Sequence, residues 1–354
     1  MMNLITVLLG LAMLSLVQSR NYPVLDCKYG QLPGRWVNAA GRSDGKEVFY
    51  QPVGIKQDWK LFDARCRLQP LADQLLSSNS SQPGNRVPIL LIGDSTDRFI
   101  QQDVCELGKM VGARTDSIGF DTDQTTLRVP EVDGVPQKFE CNHCSGCMTD
   151  FATIGHSYVW GVSPTGPYHY NKTGGWMERI PDVIASFKNL TGRDPEMVVF
   201  ASNFWDIASW GTRNASILDT DDLEDWVMED FNQNMSHVLS TIESLVPASA
   251  IKVFKTSAWP EPADCMGQSA LKGYLGRKSH VAQLNAAGKH MAAMHGWEVV
   301  DLEPMVAKFG HPSMYLRDNI HPHMFLNIEI FNIYLNILRA HGHFMAPAQT
   351  DIGI

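Results

Sequence analysis

Residues 87–98 read VPILLIGDSTDR, and the arrangement of the chain is worked out from this stretch. Ile89 to Ile92 form a compact apolar run, preceded by Val87 and ended by Gly93. A run that is apolar on both faces suits a central parallel strand, because helices cover both sides of such a sheet. Gly93 permits a sharp exit from the strand, which lands Ser95 at the carboxyl edge of the sheet. The stretch from Phe99 to Leu107 can form a helix whose N-terminus faces that hydroxyl. Its backbone N–H groups and dipole would then stabilise negative charge nearby.

Three further runs have the character of strands: Met197 to Ala201, Ile251 to Thr256, and Trp297 to Leu302. Lys252 and Lys255 interrupt the second of these, which makes it the weakest. Helical patterns lie between and after them. From Asp221 to Leu245 an acidic first turn precedes Leu223, Val227, Phe231, Met235, Val238, Ile242 and Leu245 at spacings of three and four. His280 to His295 is a second helix, stopped by Gly296, and His323 to His341 a third, with Phe325, Ile328, Phe331, Leu335 and Leu338 on its apolar stripe. Alternating strands and helices predict a three-layer α/β/α sandwich around a central parallel sheet, whose site lies at the carboxyl ends of the strands. The polar segment 77–88, SSNSSQPGNRVP, closes off an N-terminal section.

After the last strand comes Arg317-Asp318-Asn319-Ile320-His321-Pro322-His323. A serine hydroxyl needs a base to take its proton, and the base needs an acceptor that fixes its tautomer. An Asp three residues before a His can supply both within one local turn, and Pro322 then holds His321 extended. The competing structural reading is a helix N-cap by Asp318 beside a surface His. Together with Ser95 after the first strand, the pattern favours a triad of Ser95, Asp318 and His321. Position 97 is Asp, so the Gly-x-Ser-x-Gly elbow is absent.

The Gly93-Asp94-Ser95 start and the Asp318-x-x-His321-Pro322 end resemble the SGNH/GDSL hydrolase superfamily, from about Val87 to the C-terminal helix. The resemblance implies an SGNH-like fold and a catalytic role for those three residues. A narrower likeness is carried by Cys27 to Val37, CKYGQLPGRWV, and by Arg98 three residues after the serine. These are similar to the trichome-birefringence-like and PC-esterase branch, many of whose members are polysaccharide O-acetyltransferases. That likeness makes Cys27 and Cys66 disulfide candidates. The chain is thus expected to have three parts: a signal peptide (1–19), read from its own residues, an N-terminal Cys/Gly-x-Trp element (20–86) and a catalytic domain (87–354).

Asn203-Phe204-Trp205-Asp206 stands where the superfamily has a Gly-x-Asn-Asp block, so Trp205 takes the place of the oxyanion Asn, as in the narrower branch. The Ser95 N–H, Asn203 and the Trp205 indole remain alternative oxyanion donors, and Asp94 and Arg98 are further site candidates. For Trp205 the other reading is a buried aromatic. Gly119, Gly174 and Gly175 are guesses for the superfamily's glycine block. Trp160, Trp176 and Trp210 suit either sugar stacking or the core. His323, His341 and His343 fall on or after the last helix.

Leu4 to Val17 is a short apolar run followed by Gln18, Ser19 and Arg20, and Val17 and Ser19 suit signal-peptidase cleavage after Ser19. The n-region lacks Lys and Arg. The alternative, an uncleaved anchor, needs roughly 20 apolar residues. Asn-x-Ser/Thr sequons at Asn79, Asn171, Asn189, Asn214 and Asn234 agree with a secreted or lumenal chain that keeps no membrane span. The seven cysteines are Cys27, Cys66, Cys105, Cys141, Cys144, Cys147 and Cys265, which permit up to three disulfides with one left over. Cys141, Cys144 and Cys147, with His143, also have zinc-like spacing, but no second Cys-x-x-Cys follows, and disulfides are favoured over metal.

With 44% hydrophobic and 19% charged residues the chain has a globular balance. A formal charge of −9 without a basic cluster argues against nucleic acid as a partner. The expectation is a serine acyl-ester enzyme, independent of metal or cofactor, working on O-acetyl groups of carbohydrates through an acyl-Ser95 intermediate, as an esterase or an O-acetyltransferase. The rival is a secreted glycan-binding protein on an inactive scaffold of the same fold.

Overall fold

The structure, a computed structural model, describes residues 27–38, 57–72, 86–110, 116–118, 131–132, 135–136, 144–149, 151–164, 176–213, 220–260, 277–307, 309–318 and 320–343. The apolar leader, the sequons Asn79, Asn171 and Asn214, Cys141, His143 and Cys265, and Gly119, Gly174 and Gly175 lie outside them.

In chain order the described strands are β1 (Gly34–Asn38), β2 (Gln57–Leu61), β3 (Val87–Gly93), β4 (Asp116–Ile118), β5 (Glu131–Val132), β6 (Val135–Pro136), β7 (Cys144–Met148), β8 (Ala152–Tyr158), β9 (Met197–Phe200), β10 (Ile251–Lys255) and β11 (Glu298–Val300). The helices are α1 (Ser95–Met110), α2 (Trp176–Thr191), α3 (Phe204–Arg213), α4 (Asp225–Leu245), α5 (Lys278–Met294), α6 (Glu303–Val306) and α7 (Met324–Ala340), with a 3₁₀ turn at Pro312–Met314.

Seven strands form the central sheet in the order β11-β10-β9-β3-β8-β7-β4. β11, β10, β9, β3 and β8 run parallel, and β7 reverses direction against β8. The expected α/β sandwich is therefore present, with an antiparallel edge added. Strand β3 shows why the sequence folds this way. Ile89 and Leu91 point into a core with Ile100, Val104 and Leu107 of α1 and with α7, while Leu90 and Ile92 point into a second core under α2, α4 and α5. A strand buried on both faces has to be apolar throughout.

Among the parallel strands the first in sequence, β3, lies between the second, β8, and the third, β9. After β3 the chain builds the β8 side of the sheet first and then crosses to β9 on the other side, and such a reversal of strand order opens a crevice outside the carboxyl ends. Ser95 follows that end directly.

Several boundaries differ from the sequence reading. The first helix begins at Ser95 itself, not near Phe99. α4 begins at Asp225, because Asp221 pairs with Arg277 and the Leu223 N–H donates to Gln283 in the approach to the helix. α7 carries more than a stripe: every residue from Phe325 to Leu338 is buried. Its Asn336 and Asn332 amides hold the backbone of Gln69 and Ala72, which ties the N-terminal section to the last helix.

That section meets the sheet edge at Gly30 and packs on α6 and α7 through the antiparallel β1–β2 pair. Trp36 pairs with Trp59 across the two strands, and its indole donates to Met305 O at 2.7 Å. A disulfide between Cys27 and Cys66, both candidates by the family likeness, closes the section. Gly30 runs against Val299 and Val300 so closely that any Cβ there would overlap backbone atoms. A second disulfide joins Cys105 of α1 to Cys147 of β7, which commits Cys147 to a bridge and takes it out of any zinc set. Among the described residues no helix is long and apolar enough to cross a membrane, and no group of ligands could hold a metal ion. Of the two described sequons, Asn189 is exposed but Asn234 is 7% exposed and donates to Asp230, so Asn234 is a buried structural amide.

Candidate active site

The turn after β3 is built around a cap. Asp94 precedes α1, and its Oδ1 accepts from the Thr96 N–H at 2.7 Å and from the Thr96 hydroxyl at 2.7 Å. An N-cap carboxylate satisfies donors that a helix start leaves over, and it suits the positive end of the dipole. Asp94 is therefore the buried cap of the helix that begins at Ser95. His156, from β8, donates through Nε2 to Asp94 O at 3.1 Å. Gly93 is required because a Cβ there would run into the Asp97 carboxylate.

Beneath the first turn lies a buried ionic pair. Lys255 Nζ is 3.5 Å from Asp97 Oδ1, and both side chains are 1% exposed. The ammonium also donates to Thr96 Oγ1 at 3.3 Å. Burial pushes the Asp97 carboxyl up to about 6, although the Lys255 charge pulls the other way.

The second half of the site is the loop between the 3₁₀ turn and α7. A bridge between Leu316 and Pro322 narrows its neck, and the Arg317 N–H donates to His321 O at 2.8 Å. Asp318 Oδ1 accepts from the backbone N–H groups of Ile320 and His321 at 2.9 and 2.8 Å. Its Oδ2 accepts from His321 Nδ1 at 2.7 Å, which leaves Nε2 as the acceptor of the neutral ring. His321 Nε2 then meets Ser95 Oγ at 2.6 Å. Burial alone would raise the Asp318 carboxyl, but the hydrogen bonds from the His321 side chain and from the two backbone amides hold it well below the usual carboxylate range. α7 is capped at His323, not Asp318, so Asp318 is free of the helix-cap duty that the sequence also allowed.

Over the carboxyl end of β3 two loops from the flanking strands meet. Trp205, in the first turn of α3, packs edge-on against Trp160 with centroids 4.8 Å apart, and against Tyr158 at 6.4 Å. Asp206 Oδ1 accepts from the Val162 and Ser163 N–H groups at 2.7 and 3.3 Å, and its Oδ2 from the Ser202 hydroxyl. Burial pushes the Asp206 carboxyl up to about 7, against the pull of the Ser202 and backbone hydrogen bonds. Gly161, with φ of +87°, lies so close to this carboxylate that no other residue fits.

The sequence candidates fall out as follows. Ser95, His321 and Asp318 are brought together in hydrogen-bonding order. Asn203 is fully buried, and its amide donates to Asn285, which in turn pairs with the Ser257 backbone. One N–H of that amide is thus committed to the core. Trp205 is half-buried beside the crevice. The Arg98 guanidinium lies 5.5 Å over the Phe99 ring. Trp160, Trp176 and Trp210 are buried, and the last two donate to Val162 O and Asp230, so they are core aromatics.

No protein-family model matches this sequence, and no curated protein does. Among solved structures, the chain is similar to a GDSL-like lipase from Bacteroides thetaiotaomicron at 10% identity, covering 72% of this chain and 88% of that one, with a TM-score of 0.40. A lipase/acylhydrolase from Enterococcus faecalis aligns at 12% identity over 74% and 98% of the two chains, with a TM-score of 0.39. An inhibitor-bound aryl esterase of M. smegmatis aligns at 14% over 72% and 98%, with a TM-score of 0.38.

Proposed function

We propose that this chain is a serine-dependent acyl-ester enzyme of the SGNH type. The observation that carries the reading is the ordered contact Asp318–His321–Ser95, with 2.7 and 2.6 Å between the successive partners. A hydroxyl hydrogen-bonded to an imidazole whose tautomer is fixed by a carboxylate is an activated nucleophile. Ser95 Oγ attacks the acyl carbon while His321 Nε2 takes its proton. The tetrahedral oxyanion forms at the N-terminus of α1, where the Ser95 N–H and the helix dipole oppose its charge. His321 returns the proton to the departing alkoxide oxygen, and the acyl group stays on Ser95. A water or a sugar hydroxyl, deprotonated by His321, then attacks the acyl-serine, and His321 returns that proton to Ser95 Oγ as the acyl group leaves.

The finer reading is O-acetyl chemistry on carbohydrate, by hydrolysis or by transfer to a sugar hydroxyl, in the secretory pathway. The half-buried Trp205 beside the crevice supports it, since an indole face suits the C–H face of a sugar ring and its N–H offers a polar handle. The two disulfides support an oxidising compartment.

The test is labelling with a fluorophosphonate, followed by acetate release from acetylated xylan, pectin or sialic acid with and without an acceptor sugar. Labelling that disappears in Ser95→Ala supports the enzyme, and acetyl appearing on the acceptor identifies a transferase. A folded chain that takes no label under several conditions would overturn the reading.

A further inference from the structure

The face of α1 that carries Ser95 continues through Phe99 and Asp103, each four residues further on. All three meet the loop that carries His321. Ser95 Oγ contacts His321 Nε2. One turn along, the His321 ring packs edge-on against Phe99 with centroids 4.6 Å apart, and the Arg317 guanidinium lies 4.5 Å over the same ring. A further turn along, Arg317 Nη2 donates to Asp103 Oδ2, while Arg317 Nε donates to Pro322 O at 2.7 Å. Asn327 of α7 donates to the same Asp103 oxygen at 2.7 Å.

We infer that Asp103 and Arg317 are positioning residues that set where the His321 loop docks on the nucleophile's own helix. The inference rests on the reading of Ser95 as nucleophile and His321 as its base. Asp318 and His321 form a self-contained turn, because the contacts of Asp318 are with His321 and with the neighbouring amides. Such a turn keeps its internal geometry wherever it sits. Its distance from Ser95 must therefore be fixed by contacts between the loop and α1. Arg317 makes one by forking: one guanidinium nitrogen reaches Asp103 on α1, and another reaches the carbonyl of Pro322, the residue after His321. A planar guanidinium serves two acceptors in fixed relation, which a lysine ammonium does not. Asp103, 7% exposed on its side chain, is a buried anion whose cationic partner is this loop residue.

The test uses Arg317→Met, Arg317→Lys, Asp103→Asn and the Asp103→Asn/Arg317→Met pair, with Lys188→Met in the surface pair Lys188–Asp194 as control. kcat and KM for p-nitrophenyl acetate are measured per Ser95 titrated. Arg317→Met and Asp103→Asn should each lower kcat about ten- to a hundredfold at a KM within twofold of the parent. Arg317→Lys should fall between, and the pair should be no worse than the worse single variant. A second readout is independent of turnover: in a Ser95→Cys background, thiolate absorbance is followed against pH. A docked His321 imidazolium should hold the thiol below its ordinary range, as His321→Ala would reveal, and Arg317→Met should release it upward. If esterase activity is absent but the thiol responds to Arg317, the functional reading fails and the positioning stands. If folded Arg317→Met and Arg317→Lys change only thermal stability, with kcat within twofold and the thiol titration unmoved, the inference is overturned. Should Arg317→Met fail to fold, Arg317→Lys and Asp103→Asn decide by the same two readouts.

Discussion

His321 Nε2 lies 2.6 Å from Ser95 Oγ although 226 residues separate them in the chain. The contact joins the loop before the last helix to the turn after the central strand, so the reactive pair exists only in the folded sheet. Ser95→Ala should abolish covalent labelling and lower kcat by about four orders of magnitude or more. Asp318→Asn keeps the shape of the acceptor but no longer fixes the tautomer, and is expected to cost roughly 10⁴-fold in kcat. Steady-state kinetics on a small acetyl ester check both, and a loss under tenfold in either would remove that residue from the proposed triad.

The members of this pair were legible because each signal is local. A strand apolar on both faces precedes Ser95, and Asp318 and His321 sit within one turn. The surroundings were not legible, for physical reasons that differ by residue. Ala152–Tyr158 sits beside β3 yet contains Gly155, His156 and Ser157, which break an apolar pattern; His156 is tolerated there because it donates to Asp94 O. Lys255 reads as a flaw in a strand until its partner is known, and Asp97 lies far away in sequence. Asp94 and Asn203 carry the chemistry of site residues, but the cap and the core amide pair they also form join residues that the sequence does not mark as partners. Gly161, beside the β3 crevice, was not singled out, because its signal is the positive φ, which a sequence does not print.

The Lys255–Asp97 pair gives a stability prediction. Both side chains are sealed from water, so Lys255→Met strands a carboxylate in the core and should destabilise the fold by about 3–5 kcal/mol. Replacing both, as Asp97→Asn/Lys255→Met, should recover most of that loss. Urea denaturation of the four proteins closes the cycle, and additive losses would contradict a direct pairing.

Asp206 makes stability depend on pH. Its folded carboxyl is raised to about 7 from an ordinary value of 3.8. Between these values the native state keeps a proton that the unfolded chain has released. Its contribution is therefore complete below about pH 4 and is lost as pH rises through 7. Asp206→Asn should flatten the fall in Tm between pH 4.5 and 7.5. The Asn oxygen can still accept from Val162, and its amide can donate to Ser202, so the variant is expected to fold. An unchanged slope would mean that Asp206 is ionised in the fold across that range.

The Cys105–Cys147 bridge fastens α1, which begins at Ser95, to β7 across a sequence separation of 42. Cys105→Ala/Cys147→Ala should lower stability by about 3–4 kcal/mol on the loop-entropy estimate. Because the bridge constrains α1 from the side away from the His321 loop's chain, kcat per titrated Ser95 should change by less than its stability does. The denaturation midpoint and active-site titration measure the two separately.

Trp205 and Asn203 divide the oxyanion question between them. Asn203 holds Asn285, and through it the Ser257 backbone, so Asn203→Ala should act first on stability, at about 1–3 kcal/mol for the buried polar groups it strands. Its effect on kcat per titrated site should stay below the hundredfold or more that a lost oxyanion donor costs. Trp205 packs on Trp160 and Tyr158 through its ring, and Trp205→Phe keeps an aromatic ring, though a smaller one, while removing the indole N–H. If the indole serves by its surface, Trp205→Phe keeps kcat on p-nitrophenyl acetate within a few-fold, while Trp205→Ala raises KM for an acetylated polysaccharide more than for the small ester. We expect that outcome, since the half-buried ring sits in an aromatic stack and the start of α1 already offers N–H groups beside Ser95. A hundredfold fall in kcat for Trp205→Phe on the small ester would instead assign the oxyanion contact to the indole N–H.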